Sequence, residues 1–209
     1  MPASTAALSE HAGPSQLGTR LRQAREARGI GLRSLAKRLD VSASLISQVE
    51  RGKVMPSVGT LYAIVRELDV SMDDLFSPAA PGDDVGEGER TGPLLRADRR
   101  DTIYLASGVR WERLTIGPDP DLDFQIAFYE VGSESCRADA LMTHEGKEFG
   151  FLLSGRLTVT IGANTYELRP GDSISFPSTT PHRLANAGDE PAQAIWLVLG
   201  REGDSRFIP

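Results

Sequence analysis

The 209-residue sequence has one cysteine, Cys136, so it lacks the thiols needed for an intrachain disulfide or a thiolate zinc cluster. It also lacks an apolar run long enough to cross a bilayer. The segment from Met1 to Gln16 has neither the basic start nor the apolar stretch of a secretory signal. We therefore expect a protein of the reducing cytoplasm that makes no membrane contact. Its length leaves room for one large or two small domains.

The sequence has no overall basic character, because 29 acidic residues outnumber 23 basic ones and give a net charge of −6. Attraction to nucleic-acid phosphate depends on local charge, however, so the balance has to be divided along the chain. Residues 15–76 carry ten Lys and Arg against seven Asp and Glu, a balance of +3. The remainder carries thirteen against twenty-two, a balance of −9. Basic character is therefore concentrated in the first third of the chain.

Apolar residues recur at helical spacing between residues 16 and 76, in short segments separated by helix breakers. Gly29–Gly31 and Asp40–Ser42 are two of these breakers, and Ser57 is a predicted N-cap. The pattern predicts a five-helix domain over residues 16–76. Residues 1–15 are rich in Ala, Ser, Pro and Gly and are predicted to form a disordered tail.

The pattern changes after residue 76. Residues 77–102 are rich in Pro, Gly and charge and are predicted to form an interdomain linker. Over residues 103–209, short apolar runs such as Leu157–Ile161 are separated by Gly, Pro, Asn and Asp. About eight short strands without a helical segment predict an all-β sandwich or barrel. The expected fold class is therefore α+β with two domains.

The segment Leu32–Val70 has a small residue, Ala36, in the second helix and a buried aliphatic residue, Val41, in the following turn. Its third helix then exposes short polar side chains, namely Ser44, Ser47 and Gln48. In these features it resembles the phage-repressor-like (XRE-type) helix-turn-helix family, and the match extends from about Leu17 to Phe76. The resemblance implies a DNA-binding domain. The alternative is a generic helical bundle in which these polar residues are only solvated surface.

A helix fits the major groove when one stripe is short and able to hydrogen-bond while the opposite stripe holds it on its domain. Ile46 and Val49 are predicted to supply the inner stripe of the third helix. Ser44 and Gln48, four residues apart, share the outer face with Ser47, and a Gln amide can pair with adenine. The third helix is therefore predicted to be the one that reads DNA.

The resemblance also assigns individual roles. It implies that Ser42 caps the third helix near a phosphate, and that base edges are faced by Ala43, Ser44 and Gln48. The basic residues predicted to contact phosphates, which adds affinity without sequence selectivity, are Arg33, Arg51 and Lys53. It further implies a structural ion pair between Arg25 and Glu50.

Two later segments carry His, Glu and Gly at fixed spacing: THEGKEFGFLLSGRLTVTIG, residues 143–162, and PGDSISFPSTTPHRLANAGDEPA, residues 170–192. They resemble the two motifs of the cupin family through His144, Glu148 and Gly155, and through Gly171, Pro177, His182 and Asn186. Met142 stands where the first motif has another His, and Thr179 replaces a turn Gly. The resemblance implies a jelly-roll barrel.

In such a barrel His144 and Glu148, at even spacing, point to one face and His182 lies opposite them. Two His and one carboxylate leave coordination positions open and suit a divalent ion, with Fe(II), Zn, Ni and Mn as the candidates. The alternative is that the three residues line an organic-ligand pocket without a metal.

Other residues are candidates to line the same cavity. Met142, Leu152 and Leu184 share the parity of the three polar residues, although plain core residues would give the same pattern. Arg183 is a candidate anchor for a carboxylate or phosphate on a small effector. Trp111 and Trp196 are interpreted as core or dimer-interface residues and are left out of the predicted site.

The combined hypothesis is a cytoplasmic transcription regulator that binds a double-stranded DNA operator as a homodimer, with a barrel that senses a small molecule or a metal ion. The alternative is an enzyme, because a similar two-module architecture occurs in a mononuclear iron epoxidase that acts on a hydroxyalkyl phosphonate. In that case the chain is an Fe(II)-dependent cupin oxygenase with a relic helix-turn-helix domain. The polar face of the third helix and the local basic charge favour the regulator.

Overall fold

A computed structural model describes residues 14–70, 72–76, 93–117, 119 and 121–200 of the chain. The predicted tail therefore lies outside the described residues except at its last two positions. The predicted linker is described only from residue 93 onward. The domain limits given above stay predictions.

Four helices of seven or more residues make up the described part of the N-terminal region: α1 Pro14–Ala27, α2 Leu32–Arg38, α3 Ala43–Glu50 and α4 Val58–Leu68. The next helical segment, Met72–Phe76, has five residues, little more than one turn. The region thus has four helices of ordinary length, one fewer than predicted. None of the described helices has the length and apolar character needed to cross a membrane.

Local signals set the limits of these helices. Ser42 and Ser57 cap α3 and α4 by accepting hydrogen bonds from the backbone N–H groups of Leu45 and Thr60, both at 3.1 Å. Asp40 takes a positive φ of 52° in the turn between α2 and α3. Caps and turn therefore fix the angle at which α3 leaves α2.

Helix α3 is held firmly against α1. The guanidinium of Arg25 donates two hydrogen bonds to the Glu50 carboxylate, at 2.5 and 2.9 Å, and a third to the Ile30 carbonyl at 2.8 Å. This confirms the predicted Arg25–Glu50 pair. Where the two helices cross, a Cβ added to Gly18 would lie only 2.3 Å from the Val49 carbonyl oxygen.

Nine strands follow in the described residues: β1 Thr102–Tyr104, β2 Val109–Arg113, β3 Leu122–Tyr129, β4 Lys147–Ser154, β5 Leu157–Ile161, β6 Asn164–Leu168, β7 Ser173–Pro177, β8 His182–Ala185 and β9 Ala192–Leu199. They form two antiparallel sheets, β1-β2-β3-β9-β4-β7 and β6-β5-β8. This double-sheet arrangement has the architecture of a jelly roll. The predicted fold class, helical first and all-β second, is confirmed.

Strand β4 alternates between the two faces of its sheet from Lys147 to Leu153. Glu148, Gly150 and Leu152 are buried, whereas Phe149 and Phe151 are exposed. Gly150 pairs with Trp196 of β9, and a Cβ added to Gly150 would lie 2.2 Å from the indole ring. The glycine therefore leaves the room that the indole needs in the barrel interior.

Gly18→Ala tests the close crossing of α1 and α3. The added methyl group has to push apart two backbones, so we expect a loss of about 1–3 kcal/mol in the free energy of unfolding. Gly31→Ala is the matched control, because its φ is −69° and its added Cβ has no atom within 4 Å. Urea unfolding followed by circular dichroism measures both. Equal midpoints for the two variants would contradict the crossing geometry.

Candidate functional site

The three residues predicted to ligate a metal come together in the barrel. His144 lies just before β4, Glu148 lies on β4 and His182 opens β8, and all three side chains are buried. The Nε2 atoms of the two histidines each lie 3.0 Å from Oε1 of Glu148. One ligand atom from each residue falls within 4.8 Å of the others, so the group can hold a metal ion.

Hydrogen bonds from outside the cluster orient its members. Nδ1 of His144 lies 3.0 Å from the Glu145 carbonyl oxygen, and Nδ1 of His182 lies 2.9 Å from that of Thr180. A carbonyl only accepts, so each Nδ1 carries the proton. The Nε2 lone pair of each neutral ring then faces the centre. Trp196 donates from Nε1 to Oε2 of Glu148 at 2.7 Å. This outer set of bonds is the support that metal-ligating side chains usually have.

The inner atoms of the cluster suit a cation. In spite of the short distances, Nε2 of His144, Nε2 of His182 and Oε1 of Glu148 have no hydrogen-bond partner of acceptable geometry among the described residues. With both rings neutral, three buried acceptors converge without a donor between them, which is costly. A divalent cation would satisfy all three, and nitrogen with carboxylate is a donor set for such ions.

The charges of the site also favour a bound cation. Burial alone would raise the pKa of Glu148, but the two imidazoles facing it outweigh that effect and lower the pKa below its usual value. Burial would lower the pKa of His182, and the Glu148 carboxylate reverses this so that the net shift is upward. The carboxylate therefore stays ionised and attracts positive charge into the cluster, carried either by a proton on His182 or by a metal ion that takes its place.

A small cavity adjoins Glu148, and its wall includes Met142 and Leu184, as the sequence predicted. Leu152 is fully buried in the hydrophobic core and is not part of that wall. Arg183 is not part of it either, because its Nε donates to the Cys136 carbonyl at 3.2 Å and its Nη2 binds Glu134.

Four aromatic residues of the cavity wall were not part of the site predicted from the sequence: Tyr62, Trp111, Tyr129 and Trp196. Trp196 had a usable signal, since it lies on the inward parity of an alternating strand directly beside the strand of Glu148. Tyr62 had none, because it comes from α4 in the other part of the chain. Its ring stacks on that of His144, with centroids 4.2 Å apart and planes at 2°.

The second candidate site is the outer face of α3. Ile46 and Val49 are buried against the other helices, while Ser44 is exposed and Gln48 is half-buried. Gln48 donates from Nε2 to Oγ of Ser44 at 3.0 Å, so the two side chains lie side by side on the surface. Short hydrogen-bonding groups thus occupy the face opposite the anchored one, as a helix in a major groove requires.

The remaining residues of the predicted DNA surface lie on α3 or directly beside it in the sequence, except Arg33, which lies on α2. Ser42 is exposed at the N-terminus of α3, and Ala43 and Ser47 are half-buried. Arg51 donates from Nε to the Ser47 carbonyl oxygen at 3.0 Å at the other end of the helix. The three basic residues of the predicted surface, Arg33, Arg51 and Lys53, are all exposed.

Comparison with known proteins matches each part of the chain to a family. The helix-turn-helix model matches residues 21–75 and the cupin domain model residues 130–198. The helix-turn-helix-type transcriptional regulator PuuR of Escherichia coli is 26% identical over 171 residues, which cover 81% of this chain and 86% of PuuR. The regulator YazB of Bacillus subtilis is 33% identical over 61 residues, 29% of this chain and 88% of YazB.

A solved structure has the same fold over nearly the whole chain. It is a helix-turn-helix family transcriptional regulator from Vibrio cholerae, with a TM-score of 0.60 and 22% identity. The match covers 89% of this chain and 96% of that one. The combination of a helical and a barrel part therefore occurs as a unit in another protein.

Trp196→Phe tests the outer support of the cluster. The change removes the donor to Oε2 of Glu148 but keeps an aromatic ring, so the affinity for Zn²⁺ should fall about 10–100-fold. Trp111→Phe is the matched control, because Trp111 lines the same cavity without bonding Glu148, and it should bind Zn²⁺ nearly as the unmodified chain does. Isothermal titration calorimetry with Zn²⁺ measures the affinities of the unmodified chain and of the two variants. An equal loss in both variants would show that the bond to Glu148 has no part in metal affinity.

Proposed function

We propose that this chain, which belongs to the helix-turn-helix transcriptional regulators that carry a C-terminal cupin domain, reads operator DNA with α3 and senses a ligand with its barrel. The observation that carries the first half is the division of α3 into an anchored apolar face and an exposed polar face. Regulation of transcription takes place where the chromosome is, so the proposal keeps the cytoplasm as its location.

The contacts of α3 divide into two kinds. Ser44 and Gln48 have free hydrogen-bonding capacity on the outer face, and a Gln amide can pair with the N6 and N7 edge of adenine. Ala43 lies beside them, where a methyl group can contact a thymine methyl. Arg33, Arg51, Lys53 and the capped N-terminus at Ser42 supply attraction to phosphates, which positions the helix. We therefore assign sequence selectivity to the first group and affinity to the second.

The sensing half rests on His144, Glu148 and His182. We propose that they hold a divalent metal ion, with Fe(II), Zn, Ni and Mn all compatible with two imidazoles and one carboxylate. A bound ion would offer open coordination positions to an organic effector. The residues themselves do the positioning: the two Nδ1 bonds fix both rings, and Trp196 fixes the carboxylate. The cluster thus presents a preformed site.

A homodimer completes the proposal, since a palindromic operator is read by two α3 helices about 34 Å apart. The outer face of the six-stranded sheet is the surface we assign to the second copy. It exposes Phe149, Phe151, Leu153 and Leu199, and Phe124, Ile195 and Leu197 line a groove of about 380 Å³ within it. A contiguous apolar patch of this kind is typical of an interface, and a twofold contact needs only one such face.

The enzyme hypothesis is the second candidate, because the same two-His-one-carboxylate set serves Fe(II) oxygenases. The side chains that α3 presents on its surface favour the regulator hypothesis. A relic domain has no need to present Ser44 and Gln48 on its surface or to keep the basic bias to which Arg33, Arg51 and Lys53 contribute. We therefore propose that the chain is not an enzyme.

Gln48→Ala and Arg51→Ala test the division of contacts on α3. Gln48→Ala should relax selectivity at one base position at a cost of about 1–3 kcal/mol, because it removes a base-edge contact. Arg51→Ala should weaken all sequences alike and lower the salt slope of binding by about one. Fluorescence anisotropy on the chain's own promoter region, with single-base variants and at two salt concentrations, measures both effects.

Two results would contradict the proposal. An unchanged operator preference in Gln48→Ala would remove that side chain from base reading. A lack of salt-sensitive and sequence-selective binding in the unmodified chain, together with Fe(II)-dependent oxygen consumption, would favour the enzyme instead.

Phe151→Asp tests the dimer surface. A charge at the centre of the apolar face should convert the dimer to a monomer and weaken operator binding, because both half-sites must then be found independently. Tyr166→Asp is the matched control, since Tyr166 is an equally exposed aromatic residue on β6 of the other sheet. Sedimentation velocity should show a dimer for this control. A dimer that survives in Phe151→Asp would place the interface elsewhere.

A further inference from the structure

Helix α4 packs both against the other helices and against the barrel. Leu61, Ile64 and Leu68 are buried in the helical core. On the neighbouring face, Val58 and Tyr62 lie four residues apart and enter the wall of the barrel cavity beside Glu148. The same helix therefore belongs to the support of α3 and to the boundary of the ligand-binding barrel.

Tyr62 fills a flat space between two other rings. It stacks on His144 with centroids 4.2 Å apart, and its ring meets that of Trp111 edge to face at 5.9 Å and 64°. One face of a candidate metal ligand is thus covered by a side chain from the helical region. The space that Tyr62 occupies has the shape of a planar ring.

Little room is left beside the cluster in this arrangement. The remaining cavity has a volume of about 10 Å³, enough for roughly one water molecule. An organic molecule can reach the metal-binding atoms from this side only after Tyr62 has left. Tyr62 is one residue of a packed helix with few allowed rotamers, so its departure involves α4 itself.

Helix α4 is held on the barrel by the packing of Val58 and Tyr62 and by hydrogen bonds near its N-terminus. Two backbone hydrogen bonds cross near its N-terminus, from the Gly59 N–H to the Ser135 carbonyl and from the Ala106 N–H to the Pro56 carbonyl, both at 2.9 Å. Each such bond contributes only about 0.5–1.5 kcal/mol net. A ligand ring that replaces Tyr62 against His144 and Trp111 restores the aromatic packing, so the hydrogen bonds are the part of the contact that its binding has to overcome.

We propose that the slot filled by Tyr62 is the effector site, and that a planar aromatic or heteroaromatic molecule replaces this ring against His144 and displaces α4 from the barrel. Naming this ligand the effector rests on the proposed function. Because residues 51–57 join α3 directly to α4, displacement of α4 changes where α3 stands relative to the barrel. Two α3 helices in a dimer then change their spacing, which is how the ligand acts on operator binding.

The slot is tested with p-cresol, which is the side chain of tyrosine as a free molecule. Trp111 and Trp196 are the two tryptophans of the sequence and both line the cavity, so their fluorescence reports binding. Tyr62→Ala should bind p-cresol saturably and about tenfold or more tighter than the unmodified chain, in which the tethered ring competes. Tyr62→Phe, which keeps the ring, should behave as the unmodified chain does.

Tyr62→Leu replaces the alanine variant if the latter does not fold, since leucine keeps apolar bulk and helix propensity without a flat ring. A folded variant that lacks the ring and still shows no saturable p-cresol binding would overturn the assignment of the slot.

An engineered disulfide between α4 and the barrel tests whether α4 leaves the barrel. A Cβ added to Gly59 lies 3.2 Å from Cβ of Cys136, a few tenths of an ångström short of the roughly 3.5–4.5 Å found in disulfides. Gly59→Cys should therefore form a disulfide that holds α4 on the barrel. Acrylamide quenching of the two tryptophans should be lower in the oxidised than in the reduced protein, and p-cresol should increase quenching only in the reduced one.

Gly59→Cys combined with Cys136→Ser is the matched control and should show no response to reductant. Equal quenching in the oxidised and reduced single variant, with the disulfide verified by mass, would show that α4 does not leave the barrel and would overturn the proposal. Neither arm measures DNA binding or metal content, so this inference and the proposed function can fail separately.

Discussion

A single buried carboxylate organises the barrel interior. Glu148 is almost fully inaccessible, and a charge in that position is tolerated only with partners on all sides. Trp196 donates to one carboxylate oxygen, and His144 and His182 face the other, where a proton or a metal ion can balance the charge. Gly150 belongs to the same arrangement, because only a residue without Cβ lets the Trp196 indole lie where its N–H reaches the carboxylate. The residues that form the ligand site are therefore also part of the packed core of the barrel.

The helical part of the chain reaches this cluster through an aromatic ring. Tyr62 stacks on one of the two imidazoles that face Glu148, and Val58 lies beside it in the cavity wall. A stacked aromatic contact can be replaced by another planar group at little electrostatic cost. The position where the two parts of the chain meet is thus also the position where a small molecule would compete with the chain itself.

The pattern of residues in the sequence was sufficient to predict some features of the structure and not others. Helical spacing divided α3 correctly into an inner and an outer stripe, and the resemblance to the cupin motifs implied that His144, Glu148 and His182 meet in the barrel. Helical spacing overestimated the helix count, since Met72–Phe76 has the pattern of a helix but only five residues. Arg183 was proposed as an anchor for an anionic effector because it follows His182, whereas the side chain pairs with Glu134, a partner that no local pattern reveals. Tyr62 was missed because its role exists only through packing between distant segments.

The stiffness of the helical region decides how far a change at the barrel mouth can travel. Gly18 lets α1 and α3 touch backbone to backbone, and the Arg25–Glu50 pair joins the same two helices through a buried fork of hydrogen bonds. Close-packed interiors shift as bodies and do not deform gradually. A displacement of α4, whose inner face is part of that packed core, is therefore passed to α3 as a change of position and not as a loss of its shape. The polar face of α3 keeps its order of side chains while its distance from the barrel changes, which alters operator affinity without altering the sequence that is read.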